Sequence, residues 1–415
     1  MSRKILTFCF VIILLSAGHL QAATPDPVSG AEWRRAENLL VAGQAEESYR
    51  IFSSLLQKYP GHSSLLLGLA RSSALTRRYQ QADDLYRDLL SKYPNDPLLL
   101  NESDQVKALM SGKGSATTFN FRMRAGLIYD SNANQGAETE VVQVFPNLNN
   151  LQVTFRDTKK ISTTAAYFGA NFNMSHRLNE SGPWSFVGDA GLYIRGNRDS
   201  DLDDIKSSEW QWFRLGAGLR YTKERNLFEF RLKYEIFDYE LTNHVTAWGP
   251  ELTYLRAVTP NFHLISQLAL DWRNYQRNPD RDGTYGQLAQ YGRFFFGENA
   301  HSLTVGAAYL WGRPERRSLG HYGWSAPVRL TLHPHTDWEI SPNASYTAEY
   351  YRGPAIILDE KDRRDKRIRT GVDVIYKLTE NWRLEFNYSY NKDNSNSPLY
   401  DYKQHVVGLG MSWGF

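Results

Sequence analysis

Cysteine is almost absent from this sequence: one residue of 415, Cys9, is a cysteine. It lies in a short apolar run that follows Arg3 and Lys4 and ends near Ala22. A basic start, a short apolar core and a small residue at its end predict a secretory signal peptide over residues 1–22, because a membrane helix needs about 20 apolar residues. Its removal would leave no cysteine, which excludes disulfides and thiolate metal sites from the exported chain.

Excess charge of one sign is absent as well, since 48 basic residues stand against 45 acidic ones. No basic footprint for nucleic acid stands out, so we expect no nucleic acid partner. The sequence also lacks a nucleophile elbow, a phosphate-binding loop and paired carboxylates at a recognisable spacing. His333 and His335 flank a proline, but no further metal ligands accompany them. We therefore expect no enzymatic activity, no cofactor and no metal site.

Residues 30–112 contain an internal repeat. The segment LLQKYP at 55–60 recurs as LLSKYP at 89–94, an offset of 34 residues, which is the tetratricopeptide period. In that register Ser48 and Phe52 correspond to Ala82 and Tyr86, a small residue and a ring on the second helix of each pair. A further helix is predicted over residues 97–110. Because about three repeats are needed to bury a continuous core, we expect this short segment to dock on another surface.

Beyond a Gly- and Ser-containing linker, apolar and polar residues alternate with the period of a β-strand. Residues 228–236, FEFRLKYEI, place aromatic and aliphatic side chains on one parity and charged side chains on the other. A soluble sandwich would alternate too. Here, however, the polar face is strongly charged over long strands and aromatic residues cluster at strand ends, which is typical of outer-membrane barrels. The pattern predicts strands at 118–129, 161–176, 184–197, 208–222, 227–240, 245–257, 262–275, 284–296, 301–312, 321–332, 338–352, 366–378, 382–392 and 402–415.

The connections between these fourteen predicted strands alternate between short and long, with one exception at 241–244. Barrels of this kind have short periplasmic turns and longer extracellular loops, so an even strand count places both barrel ends in the periplasm. Pro250 predicts an interruption in one strand. The predicted fold is thus a small all-α tetratricopeptide-like domain over 30–112, followed by a 14-stranded antiparallel transmembrane β-barrel over 118–415.

Three groups of residues are candidates for function. The first strand ends in a polar motif, which we expect at the outer rim, beside the seam where the first and last strands meet: Asp130, Ser131, Asn132 and Asn134. The final strand ends in aromatic residues that resemble the signal of the barrel-assembly machinery: Trp413 and Phe415. The inward parity carries candidate lumen-lining charges: Arg122, Arg124, Arg195, Arg220, Arg231, Lys233, Glu235 and Asp373.

A signal peptide, a small repeat domain and a barrel that opens with YDSNAN at 129–134 resemble the Slam family, the surface lipoprotein assembly modulators of Gram-negative bacteria. The resemblance implies an outer-membrane protein that moves lipoproteins or secreted proteins to the cell surface. It implies a lipoprotein or secreted protein cargo as partner. The repeat segment is shorter than the repeat arrays of the family. Its binding of cargo is therefore not implied by the resemblance, and a narrower range of cargo is expected.

Other partners and functions follow from the barrel itself. We expect contacts with outer-membrane lipids and with the barrel-assembly machinery. The basic run KDRRDKRIR at 361–369 is a candidate for binding lipopolysaccharide phosphates or an exported protein. The alternative functions are an exopolysaccharide-export porin, a general diffusion porin and an outer-membrane enzyme.

Overall fold

The computed structural model describes residues 31–415 with these exceptions: 42–43, 94–96, 111–116, 134, 136–140, 145–150, 155–159, 179–182, 198–209, 224, 240–242, 260, 298–300, 355–360 and 380. The predicted signal peptide, residues 1–22, and Asn134 of the polar motif lie outside the described residues. The chain divides into two units, residues 1–89 and 90–415.

Five helices occupy the segment predicted to be helical. They are α1 Ala31–Val41, α2 Ala45–Lys58, α3 Ser63–Leu75, α4 Tyr79–Lys92 and α5 Pro97–Met110. Between α3 and α4 the chain turns at Arg77, whose φ of 63° lies in the left-handed region. None of the described helices has the length and apolar character to cross a membrane.

The first unit is organised around Phe52, which is fully buried in α2. Its ring lies against Gly68 of α3, where an added Cβ would fall 2.4 Å from the ring, so the glycine makes room for it. Ser48, one turn before Phe52, is also fully buried, and its Oγ donates a 2.9 Å hydrogen bond to the Ala36 carbonyl of α1. The small residue and the ring predicted from the repeat are therefore contacts between helices.

Fourteen antiparallel strands of the second unit close into a barrel, which confirms the predicted fold class and strand number. The strands are β1 Thr117–Asp130, β4 Thr163–Arg177, β5 Trp184–Asn197, β6 Trp210–Lys223, β7 Asn226–Tyr239, β8 Asn243–Thr259, β9 Phe262–Tyr275, β10 Gly283–Phe296, β11 His301–Pro314, β12 His321–His335, β13 Trp338–Tyr351, β14 Arg364–Lys377, β15 Trp382–Ser395 and β16 Tyr402–Gly414. Consecutive strands pair around the ring, and β1 pairs with both β4 and β16.

Two features differ from the prediction. The segment between β1 and β4, expected to be loop, contains a two-stranded sheet of β2 Val141–Val144 and β3 Leu151–Thr154. Each of these strands has four residues, too few for the alternation of a membrane strand to be recognised. The second difference is Pro250, which does not interrupt β8. It pairs with Leu232 on the β7 side, whereas the β9 ladder skips positions 249 and 250, because proline has no N–H to donate.

The barrel turns its apolar face outward. In β7 the side chains of Phe228, Phe230 and Leu232 are 53%, 42% and 54% exposed, whereas Lys233 and Glu235 on the other parity are 8% and 7% exposed. This is the reverse of a water-soluble sheet and matches a lipid-facing surface, where exposing apolar side chains is favourable. Exposed tryptophans lie at the strand ends: Trp184, Trp338 and Trp382 at one end, Trp248 and Trp272 towards the other.

We expect Phe52→Ala to unfold the helical unit selectively. The substitution empties a fully buried ring position, which typically lowers the free energy of unfolding by about 3–5 kcal/mol. Thermal melting of the full chain in detergent, followed by its helical circular dichroism, should show a clearly lower midpoint for the helical transition. Tyr59→Ala is the matched control, since Tyr59 is exposed at the end of α2. An equal shift in both variants would contradict the central role of Phe52.

Candidate functional site

The barrel closes at a seam, the ladder between β1 and β16. This ladder runs from Arg122 opposite Gly414 to Asp130 opposite Val406. On its other edge β1 pairs with β4 along its whole length. The seam is where the first and last strands of the barrel meet, as predicted, and its outer end coincides with the polar motif.

At the outer end of the seam, the carboxylate of Asp130 is 1% exposed and accepts hydrogen bonds from three donors. The backbone N–H of Asn132 donates to Oδ1 at 3.0 Å, an Asx turn that shapes the chain leaving β1. Nε2 of Gln404 on β16 donates to both carboxylate oxygens, at 2.9 and 3.0 Å. Nη2 of Arg195 on β5 donates to Oδ2 at 3.1 Å. One carboxylate therefore joins three strands.

Ser131 and Asn132 also bond across the seam. The Ser131 N–H donates to the His405 carbonyl at 2.9 Å, and the Ser131 Oγ accepts from the His405 N–H at 2.8 Å. Nδ2 of Asn132 donates to the Lys403 carbonyl at 3.0 Å, while the Asn132 carbonyl accepts from Nε2 of Gln404 at 3.1 Å. We call the following five residues the rim clasp: Asp130, Ser131, Asn132, Arg195 and Gln404.

On the lumen side, a tyrosine from β4 lies over the seam. A Cβ added to Gly126 of β1 would fall 2.8 Å from Cε1 of Tyr167, and one added to Gly410 of β16 would fall 2.1 Å from its hydroxyl oxygen. The ring of Tyr167 therefore crosses β1 and reaches β16 through space that two glycines leave open. It stacks on Tyr193 of β5 with ring centroids 5.9 Å apart. Side chains of the neighbouring wall thus cover the middle of the seam.

The other end of the seam is aromatic. The backbone N–H of Phe415 donates to the Phe121 carbonyl and the Phe121 N–H donates back, both at 3.1 Å. The rings of Phe121 and Phe415 lie 5.8 Å apart, and Trp413 lies 5.4 Å from Phe415. The predicted terminal aromatic residues thus close the periplasmic end of the seam and leave Phe415 63% exposed.

The candidate lumen charges belong to several ion-pair groups. Arg231 contacts Asp189 of β5, and Nζ of Lys233 lies 2.9 Å from Asp271 of β9 and 3.4 Å from Glu235. These contacts form a chain of alternating charges along the inner face of neighbouring strands. Such pairs satisfy one another, so they hold the wall together and leave little net charge to attract a ligand.

Arg220 belongs to the same chain of charges, because Glu229 lies 2.6 Å from Arg220 and 2.7 Å from Arg231. Asp373 lies apart from it, 3.1 Å from Arg329 on another wall. Arg122 lines a cavity of about 410 Å³ together with lumen residues of β4 to β7. The guanidinium of Arg124 lies 5.7 Å from the ring of Tyr193. The candidates therefore do not form one site; Arg195 alone joins the rim clasp.

The basic run at 361–369 divides by strand parity. Arg363 and Arg367 turn inward, where Arg363 lies 2.6 Å from Asp365 and Arg367 lies 2.8 Å from Asp393. Arg364 and Lys366 are exposed on the alternate parity. The basic run therefore presents two sets of cations. Arg363 and Arg367 form ion pairs inside the barrel, and Arg364 and Lys366 face outward.

Gln404 and Tyr167 are the site residues that sequence reasoning missed. Both sit on the inward parity of their strands, but nothing in their local sequence separates them from other polar lumen residues. Their importance depends on the register of the seam, which brings Gln404 of β16 next to Asn132 in the turn after β1, 272 residues away in the chain. A register anchored on Phe121 and Phe415 would have predicted that neighbour.

Comparison with known families gives two matches. Residues 119–415 match the family described as surface lipoprotein assembly modifier. Residues 39–101 match the tetratricopeptide repeat, which confirms the predicted repeat class. No curated protein matches the chain. The first match covers the whole barrel from its first strand and therefore the larger part of the chain.

Solved structures with similar architecture share little sequence with the chain. The outer membrane channel DcaP of Acinetobacter baumannii is 10% identical with a TM-score of 0.43, over 72% of this chain and 97% of that one. The translocator domain of the autotransporter NalP from Neisseria meningitidis is 12% identical with a TM-score of 0.30, over 71% and 88%. OmpT of Vibrio cholerae is 10% identical with a TM-score of 0.40, over 72% and 98%.

Loss of the Asp130 carboxylate should loosen the seam. Asp130→Ala removes the acceptor of the Arg195 guanidinium and leaves the Gln404 amide with only the Asn132 carbonyl, a change that typically costs about 2–4 kcal/mol. We expect hydrogen exchange of the β16 amides to become roughly 100-fold faster, because that free energy sets the local opening equilibrium.

Asp365→Ala is the matched control, because Asp365 is similarly buried and paired with an arginine but lies on β14, two strands away from β16. It should leave exchange in the outer half of β16 much closer to that of the unsubstituted protein. Similar acceleration in both variants would show that the rim clasp holds the barrel in general and not the seam in particular.

Proposed function

The chain belongs to the surface lipoprotein assembly modifier family, and we propose that it carries a lipoprotein or secreted protein across the outer membrane by opening the seam between β1 and β16. The resemblance drawn from its sequence is thereby confirmed. The protein is an outer-membrane barrel whose helical repeats lie in the periplasm. The passage of cargo and the opening of the seam are the proposal.

The rim clasp is the observation that carries this proposal. A motif that only shaped the turn after β1 would bond within that turn, as the Asn132 N–H does to Asp130. Instead, most of the hydrogen bonds of Asp130, Ser131 and Asn132 reach residues 403–405 on the far side of the seam. These residues thus form most of their hydrogen bonds across the seam, the junction that joins the first strand of the barrel to the last.

The composition of β16 supports an opening at this place. From Gly408 onward, the residues of its inward parity are Gly408, Gly410, Ser412 and Gly414, so this part of β16 has no large lumen side chain to interlock with β1. The strands are then held by backbone hydrogen bonds, by the rim clasp and by the Tyr167 ring. Each of these contacts can reform, which suits a junction that opens and closes.

The proposed passage requires a source of free energy. The sequence has no phosphate-binding loop, so nucleotide hydrolysis by this chain is not part of the proposal. Folding of the cargo outside the cell would favour its outward movement, because a folded cargo does not re-enter the barrel. The periplasmic repeats would hold the cargo before passage, as such repeats bind extended partners in their groove.

Two further partners are proposed from the exposed residues. Arg364 and Lys366, at the outer end of β14, carry the positive charge that would contact lipopolysaccharide phosphates. Trp413 and Phe415, at the end of the last strand, would be recognised by the barrel-assembly machinery during insertion. Both roles use the outward face and leave the lumen to cargo.

A diffusion porin is the rival function, favoured by the polar cavities of about 820 and 410 Å³ inside the barrel. In a porin, solutes cross the lumen while the seam stays closed. In the proposed function, the seam must part. A covalent bond across the seam therefore distinguishes the two functions.

We expect a disulfide across the seam to stop cargo display. Arg124 and Ser412 are opposite each other on β1 and β16, and the exported chain offers no competing thiol. Arg124→Cys with Ser412→Cys should abolish surface exposure of a co-expressed lipoprotein under oxidising conditions, measured by protease shaving of intact cells. A reducing agent should restore it.

The matched control is Ala289→Cys with Ala308→Cys, a pair on β10 and β11 away from the seam. It also cross-links two adjacent strands of the barrel by one disulfide, and it should leave cargo display unchanged. The two single-cysteine seam variants control for loss of Arg124 or Ser412. Normal display with a fully formed seam disulfide would refute seam opening, and loss in the control pair would assign the effect to barrel rigidity.

A further inference from the structure

The last helix of the repeat segment belongs structurally to the barrel. The division between the two units falls at residue 89, so Tyr93 and α5 group with the strands and not with the preceding helices. The sequence predicts that this short repeat segment docks on another surface. The contacts of residues 93–110 show what that surface is.

One end of the docked segment meets the wall that contains β1. Thr118, near the periplasmic start of β1, donates through Oγ1 to Oδ2 of Asp104 in α5 at 2.7 Å. Arg177 at the end of β4 and Arg220 near the end of β6 lie close enough to influence the same carboxylate. An acidic side chain of α5 is thus placed among cations at the periplasmic rim.

The other end meets the opposite wall. The ring of Tyr93 packs edge-on against Phe295 of β10, with centroids 5.6 Å apart, and against His333 of β12 at 6.5 Å. Phe295 in turn packs on His263 of β9 at 4.9 Å. The outward neighbours Phe294 and Phe296 are exposed, so Phe295 faces the lumen. Tyr93 therefore inserts into the barrel mouth.

The two contacts span the mouth. In the order of the closed barrel, β10 is the eighth of fourteen strands counted from β1, which is the position directly across from it. Asp104 therefore contacts one wall of the barrel and Tyr93 contacts the wall opposite to it.

We propose that Tyr93 and α5 form a plug that closes the periplasmic mouth of the barrel and that cargo must displace. The closure is independent of the proposed function, whereas displacement by cargo rests on it. The surface concerned is the inner rim made of Thr118, Arg177, Arg220, Phe295 and His333. Its occupant in this state is the chain's own segment, and an acidic and aromatic stretch of cargo would compete for the same groups.

The charge state of Asp104 affects how strongly the plug is docked. Burial raises the pKa of this carboxyl, while the Thr118 hydrogen bond and the charges of Lys107, Arg177 and Arg220 lower it. Because the net pKa is raised, the ionised carboxyl is less favourable when docked than when free in water. Docking is therefore weaker above the raised pKa and becomes stronger as the pH falls through it. A neutral acceptor at this position should dock at least as well.

The test measures access to the lumen through the periplasmic mouth. Asn173→Cys places a thiol in the lumen-facing cavity of β4, and a bulky polymer-linked maleimide reports its accessibility in the purified full chain. We expect Tyr93→Ala with Asp104→Arg to increase the labelling rate about ten-fold or more, because the ring contact is lost and the new cation faces Arg177 and Arg220. Asp104→Asn should label at or below the rate of the parent.

The control is Tyr59→Ala with Asp88→Arg, the same two substitutions at exposed positions of α2 and α4. It should label at the rate of the parent. A difference in gel mobility between the unheated and the heated protein establishes that each barrel is folded. Equal labelling of the folded plug variant and its parent would overturn the proposal. The labelling experiment involves no cargo, so a negative result there would not contradict the proposed function. Conversely, normal cargo display with a disulfide-locked seam would contradict the proposed function and not the plug.

Discussion

Closure of the sheet is the constraint on which the rest of this structure depends. Inside a bilayer no water can satisfy a free N–H or carbonyl group, so a membrane-spanning sheet must pair every edge. The chain has two edges to pair, one at each end of its barrel, and both are used at the seam between β1 and β16. Every other junction of the barrel joins strands that are neighbours along the chain, apart from the β2–β3 insertion. The seam alone depends on contacts between the two ends of the sequence.

This constraint explains how different chemistries are distributed along the seam. Within the bilayer, small inward residues on β16 leave backbone pairing as the main bond, with Tyr167 covering Gly126 and Gly410. At the periplasmic end, aromatic rings can contact both lipid and water. At the outer end, a buried carboxylate can hold two strands only because three donors satisfy it. Removing any donor leaves a charge poorly solvated. In the proposed function, the rim clasp would have to release before the seam opens.

The architecture could be predicted from the sequence almost completely, whereas the site could be predicted only in part. Strands of fourteen residues with strict alternation, as in β7, are unambiguous because lipid and lumen demand opposite side chains. The four-residue strands β2 and β3 carry too little pattern for the same reasoning, and Pro250 lies at a position where a missing N–H removes ladder bonds without breaking the strand. The motif itself is visible in the sequence. Its partner Gln404 cannot be recognised in the sequence. Gln404 and Asn132 are 272 residues apart, and only the register of the seam brings them together.

The first strand connects the two ends of the barrel mechanically. Thr118 of β1 holds Asp104 of α5 at the periplasmic mouth, and Asp130 of the same strand anchors the rim clasp at the outer end. Eleven residues of one continuous strand separate these contacts. If displacement of α5 changes the position of β1, it changes the free energy of the seam. Linkage then requires the reverse, so that an open seam must weaken the docking of α5 by the same factor. A carrier built this way would keep its mouth and its seam closed together and open them together, which a static pore has no need to do.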